Sequence, residues 1–249
     1  MISDVSDIDI SDSLFQDRSV NSRQTGVALG DNVSPLSPIK VKSLRDHVHD
    51  NLREAIISGR IKSGEKLNER QLASDLGIST SPLKEALRQL EGEGLVRTEA
   101  RRGTFVSFNA RQAEEMTLAR AALESIIARQ AAKHGDEEAF GFLRAVIEEM
   151  RAAVEAGNVD LLIELNEKFH DGIHEASGCE YLRRLQNAQR MYDHAARVTV
   201  LSREDVRRQS FNEHEAIMQA ITARNGDLAE RLMREHIVKA GDTHIELVF

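Results

Sequence analysis

The chain has 249 residues, 41% of them apolar but only 4% aromatic, with no Trp, three prolines and one cysteine, Cys179. Leu, Ile, Val and Ala must therefore build the core and helices are favoured; one cysteine excludes a disulfide framework, and no apolar run approaches the roughly 20 residues of a membrane span. The net charge of −8 argues against a polyanionic partner only as a sum, because residues 41–108 carry twelve Lys and Arg against ten Asp and Glu and form the only positive segment.

Residues 1–40 are rich in Ser, Asp and Asn, show little periodicity and contain Pro35 and Pro38, which reads as a disordered arm. That start also lacks the basic and apolar regions of a signal peptide, so a soluble cytoplasmic chain with no membrane partner is expected. Leu44, Val48, Leu52 and Ile56 repeat at i, i+4 and mark a helix stopped by Ser58-Gly59, and Ile61 to Leu67 reads as a turn-rich connector. Glu69 to Leu76 is a short helix, ended where Gly77 supplies a left-handed cap. Ser79 is the next N-cap and Pro82 falls in the first turn, where a missing N–H costs little. Leu83, Ala86, Leu87 and Leu90 form the apolar stripe of this second helix, which ends near Gly92 and Gly94. Leu95–Thr98 and Thr104–Phe108 read as the two strands of a wing, reversed at Gly103 with Arg101 and Arg102 at its tip.

Two short helices, a tight turn and a wing form the winged helix-turn-helix layout, whose second helix lies in a DNA major groove. Its N-terminal residues approach base edges, so Ser79, Thr80, Ser81 and Lys84 are the readout candidates. Arg70 and Arg88 are placed to reach phosphates or the groove wall, and Arg101, Arg102 and Gly103 to meet backbone or minor groove. Any one of these charges taken alone also reads as a solvated surface group.

From residue 109 onward the pattern is helical, with segments over 110–133, 136–156, 158–176, 179–200, 203–224 and 227–247 broken by short Gly, Asn and Ser connections. The expected architecture is mainly α: a winged head over 41–108 followed by an antiparallel bundle of about six helices over 109–249. Seven of the nine histidines lie in the bundle. His170 follows Asn166 by one helical turn, His214 shares a face with Phe211, Ile217 and Ile221, and His236 lies one turn after Leu232. Three imidazoles and an amide oxygen from three helices suit a divalent cation with positions left for water or ligand. Each histidine by itself also reads as a hydrogen-bonded core residue, His174 is a rival partner for His170, and spacing does not bring the three together. A metal-dependent hydrolase is a remaining alternative, although no HExxH-type glutamate accompanies the set and Glu213 faces another side of its helix from His214.

The run from Leu44 to Val106 resembles the GntR-type winged helix-turn-helix, with the L..R..I..G.....L.ER.LA..LG.S..P..EAL..L...GLV.....RG..V pattern nearly complete. The family commonly starts the recognition helix with Arg-Thr-Pro-Val-Arg, where this chain has Thr80-Ser81-Pro82-Leu83-Lys84. An arginine fork reads guanine bidentately and lysine is a point donor, so binding is kept but the basis for the family's usual operator is removed. Residues 110–240 resemble the FCD effector domain of the FadR subfamily through Arg120-x-x-Leu-Glu124, Asn166-Glu-Lys-Phe-His170, Ala176-Ser-Gly178, Glu213-His214-x-x-Ile217 and Arg234-Glu-His236. The resemblance implies a metal held by Asn166, His170, His214 and His236, zinc first with nickel and manganese as alternatives. It also implies a small carboxylate effector, to which Arg120 adds a charge-assisted bond unless it is spent on a surface salt bridge with Glu124. The expected protein is a ligand-responsive transcriptional regulator, a homodimeric repressor on an inverted-repeat operator rather than an enzyme, with a scaffold-only bundle as the alternative.

Overall fold

The computed structural model describes residues 43–187 and 190–249. The arm expected over 1–40 lies outside the described residues. Ser43 opens the first helix, α1 (Leu44–Ile57), with a capping box: its hydroxyl accepts from the Asp46 amide while Asp46 accepts from the Ser43 amide, each at 3.2 Å. Val48, Leu52, Ile56 and Ile57 form the buried stripe of α1. β1 (Lys66–Leu67) follows, then α2 (Glu69–Asp75), capped by the Asn68 side chain, and α3 (Thr80–Gly92). The turn between α2 and α3 depends on Gly77 at φ +64°, a left-handed conformation disfavoured for residues with a Cβ. Ser79 is the N-cap of α3 by backbone conformation, but its hydroxyl makes no capping bond.

β2 (Val96–Glu99) and β3 (Gly103–Val106) form the wing. The sheet is three-stranded rather than two-stranded, in the antiparallel order β1-β3-β2, because Lys66 and Leu67 pair with Phe105 and Thr104. A two-residue strand is too short to show an alternation, so the connector reading hid it. Leu83, Ala86, Leu87 and Leu90 of α3 pack with the α1 stripe, Leu95, Val96, Val106 and Phe108 into one buried cluster.

The bundle begins at α4 (Ala110–His134), followed by α5 (Glu137–Ala156), α6 (Val159–Ser177), α7 (Glu180–Asn187), α8 (Arg190–Leu201), α9 (Glu204–Thr222) and α10 (Gly226–Val248). Side chains of Asn109, Asp136, Asn158 and Asn225 cap α4, α5, α6 and α10, which explains why the helix breaks were readable in the sequence. The segment expected as one helix over 179–200 is described as α7 and α8 on either side of residues 188 and 189. Phe140, Leu143, Ile147, Phe169, Ile173, Ile217, Ile221, Met233 and Ile237 are central to the second buried cluster. A Cβ on Gly241 of α10 would stand 2.2 Å from Thr117 Cγ2 of α4, so these two helices touch backbone to side chain there.

Head and bundle share buried contacts. Ala113 from the first turn of α4 belongs to the head's cluster, and Met116 and Ile245 pack against it. Phe249 stacks obliquely on Phe108 with centroids 5.6 Å apart. Gly59, at φ +75°, ends α1 so close to Val248 that a Cβ would stand 2.8 Å from its Cγ1.

Candidate metal centre and nucleic-acid interface

α6, α9 and α10 bring their histidines to one buried point. His170, His214 and His236 each offer a ring nitrogen, and these lie within 4.8 Å of one another. Their ring centroids are separated by 5.5 Å for His170 and His214, 4.4 Å for His214 and His236, and 5.8 Å for His170 and His236. His214 is fully buried, and Asn166, His170 and His236 are nearly so. Asn166 completes the set, donating from Nδ2 to His214 Nε2 at 3.3 Å. Turning that amide over presents Oδ1 instead, the atom a cation would take.

Burial holds His170 far below the ordinary imidazole range, at about 3, and burial together with the neighbouring His236 and His170 holds His214 well below it. Both are therefore neutral at physiological pH, the form that ligates metal. Both nitrogens of His170 and Nδ1 of His214 lack a hydrogen-bond partner among the described residues. Unpartnered buried nitrogens are costly, and a cluster of imidazoles beside an amide fits a borderline divalent cation.

Two carboxylates stand behind the histidines. Glu213 Oε2 accepts from His236 Nδ1 at 2.8 Å, leaving Nε2 as the available nitrogen, and Glu213 Oε1 accepts from Lys239 Nζ at 2.7 Å. Glu124 accepts from His174 Nε2 at 2.9 Å, and its Oε2 lies 3.6 Å from His170 Nδ1. Burial pushes both carboxyls up, but the adjacent histidines, with Lys239 at Glu213, outweigh it and keep both ionised. His174 is thus engaged with Glu124 and lies outside the three-histidine cluster. Arg120 faces Glu124 at 3.8 Å, the pairing held open in the sequence as an alternative to an effector contact, but the pair is buried, not on the surface. Sequence spacing missed the roles of Glu213 and Glu124; their place in the Glu213-His214 and Arg120-x-x-Leu-Glu124 motifs was the available signal.

A cavity of about 30 Å³, room for roughly two water-sized groups, adjoins the cluster. Arg120, Asn166, His170, Arg197, Ser210 and His236 are among its lining residues. Two guanidiniums beside the imidazoles favour an anion. Arg197, on α8, has no motif in the sequence to mark it.

On the head, Ser79, Thr80, Ser81, Lys84 and Arg88 are all exposed, on the side of α3 away from its buried leucines. Arg70 opens α2, and Arg101, at φ +61°, leads the wing turn into Gly103 at φ +105°. Arg70, Lys84, Arg88 and Arg101 have no carboxylate partner among the described residues, whereas Arg102 pairs with Glu99. Cations left uncompensated along one reading helix and a wing tip suit a phosphate backbone.

The bacterial regulatory protein gntR family profile matches residues 44–106 and the FCD domain profile matches residues 115–239. The chain is 30% identical over 190 residues to the uncharacterised HTH-type transcriptional regulator YdhC of Bacillus subtilis, covering 76% of this chain and 85% of that one. It is 32% identical over 199 residues to the HTH-type transcriptional repressor GlaR of Escherichia coli, covering 75% of this chain and 89% of that one. The solved structure of E. coli McbR/YncC shares the fold, at a TM-score of 0.60 and 20% identity, over 80% of this chain and 95% of that one. Among the described residues no helix is long and apolar enough to cross a membrane. With both profiles matched in order and relatives aligned along most of their length, the chain belongs to the GntR family of bacterial regulatory proteins, in its FCD-containing FadR subfamily, and is a DNA-binding transcriptional regulator, not an enzyme.

Proposed function

We propose that this regulator is a cytoplasmic homodimeric repressor, released from an inverted-repeat operator when a small organic acid binds beside a divalent metal in its bundle. The observation that carries the reading is the meeting of three buried imidazoles within 4.8 Å, next to a cavity that Arg120 and Arg197 also line. Asn166, His170, His214 and His236 would hold the cation, zinc first and nickel or manganese next, and when bound it would offer an open position to a carboxylate oxygen. Arg120 and Arg197 orient the anion and balance its charge; Glu213 fixes the tautomer of His236, and Glu124 keeps His170 turned toward the cluster. Repression is favoured by the relative named a repressor, GlaR.

On the DNA side, Ser79, Thr80, Ser81 and Lys84 read base edges, Arg70 and Arg88 take phosphates, and Arg101, Arg102 and Gly103 meet the backbone at the wing. A net surplus of two positive charges over residues 41–108 is small, which favours a dimer that doubles the phosphate contacts. Release requires that the effector bind two arrangements of the heads with different affinity.

The test uses the purified full-length chain. Elemental analysis should find a divalent metal, and carboxylates that raise the melting temperature of the zinc-loaded protein should lower its affinity for duplexes selected from a random pool. No bound metal, and no thermal response to divalent ions or carboxylates, would leave the bundle as a dimerisation scaffold.

A further inference from the structure

The outer face of the wing carries a cation cluster set apart from the reading helix. β3 runs between β1 and β2, and its Phe105 stands directly opposite Lys66 on one side and Arg97 on the other. Thr104 and Val106 alternate into the core, so Phe105 and its two neighbours occupy the outward face. Lys66 Nζ, Arg97 Cζ and Arg102 Cζ lie 5.9, 5.7 and 5.6 Å from the centre of the Phe105 ring. The stem of Lys66 also reaches the wing turn, where a Cβ on Gly103 would stand 3.1 Å from its Cε.

One carboxylate serves two of the three cations. Glu99 accepts from Arg97 Nε at 3.0 Å and also from Arg102, while Lys66 has no carboxylate partner among the described residues. Like charges gathered around one ring repel, and a cation over a half-buried phenyl ring at the surface recovers only about 0.5–1 kcal/mol. Three cations around one ring and one carboxylate therefore form a face whose surplus charge an external anion would neutralise. It is continuous with Arg101 and Arg102 at the wing tip and belongs to the DNA-binding module, which favours a phosphodiester backbone over an acidic protein.

We propose that Lys66, Arg97 and Arg102 around Phe105 form a second DNA-backbone contact, extending the interface from the wing tip across the sheet to phosphates outside the reach of α3. The inference rests on the reading that α3 and the wing tip face DNA. Binding of this kind is sequence-independent, so a random duplex of about 30 base pairs is a sufficient probe. In anisotropy titrations of the full-length chain across a range of KCl, Lys66→Gln and Arg97→Gln should each weaken binding several-fold. Each should also reduce the slope of log K against log salt by about 0.9 for every phosphate that is no longer neutralised. Arg97→Lys should restore the slope, Lys168→Gln on the bundle should not alter it, and melting temperatures should stay at the parent value. If Lys84→Gln weakens binding but the two wing variants leave the slope unchanged, the inference fails and the reading of α3 stands. If all three are silent, both fail. Loss of polyglutamate binding without change on DNA would assign the face to an acidic protein and overturn the proposal.

Discussion

Glu213 adjoins His214 in sequence, yet it accepts its hydrogen bond from His236, 2.8 Å away on the next helix. One residue along a helix turns the side chain by about 100°, which points Glu213 at α10 while His214 points into the cluster. The same carboxylate holds Lys239 at 2.7 Å, so Glu213 ties two residues of α10 to α9. Glu213→Gln should lower zinc affinity by about 10- to 100-fold, measured by chelator competition, because the imidazole of His236 loses the charged acceptor that fixes its tautomer and raises its basicity. An unchanged affinity would show that His236 needs no such support.

Lys84 and Arg101 are expected to fail in different ways. Lys84→Ala should cost about 1–3 kcal/mol on a selected operator and relax base preference there, whereas Arg101→Ala should weaken selected and random duplexes alike. Equal losses on both DNAs for Lys84→Ala would remove it from the readout set.

His244 gives a pH signature of its own, outside the three-histidine cluster. It is fully buried on α10, and burial lowers it to about 4, with the Ile57 backbone pulling weakly the other way. Its folded value lies below the unfolded one, so the folded state binds fewer protons, and stability is lost as pH falls from about 6.5 toward 4. Urea unfolding at pH 5 should show a loss on the order of 2 kcal/mol relative to pH 7 from this group, and His244→Leu should remove that part of the dependence. A Leu variant with the parent's full pH dependence would place the titration elsewhere.

Gly241 is held by close packing, not by backbone conformation. A methyl group there would meet Thr117 Cγ2 at 2.2 Å and Oγ1 at 2.5 Å, forcing α4 and α10 apart. Gly241→Ala should destabilise the chain by about 1–3 kcal/mol in urea titration, and Thr117→Ala in the same chain should return part of the loss. A neutral Gly241→Ala would mean that α10 slides without cost.

Much of this architecture was legible because its signals are local. Gly77 and the Ser79 cap marked the turn, the Asn and Asp caps marked the bundle breaks, and one helical turn placed Asn166 beside His170. Convergence was not legible: spacing within α6, α9 and α10 sets which way each histidine faces, and only the packing of the three helices sets how near they come. The same limit hid β1, whose two residues show no period, and Arg197, whose place at the cavity comes from the packing of α8. The pairing of Arg120 with Glu124 was visible at i, i+4, but its burial depended on α6 bringing His170 and His174 against it.

The seam between Phe108 and Phe249 has a consequence for exchanging parts among relatives. Ile245 and Ala113, both outside the helix-turn-helix, pack into or against its core, and Val248 closes on Gly59 at the end of α1. A reading head cut at the end of the wing would therefore carry a wound of exposed apolar side chains. A chimaera that transplants this head onto another effector domain should fold only if the last two turns of α10 and the first turns of α4 travel with it. The cut that preserves both cores is a discontinuous one, and it does not follow the order of the sequence.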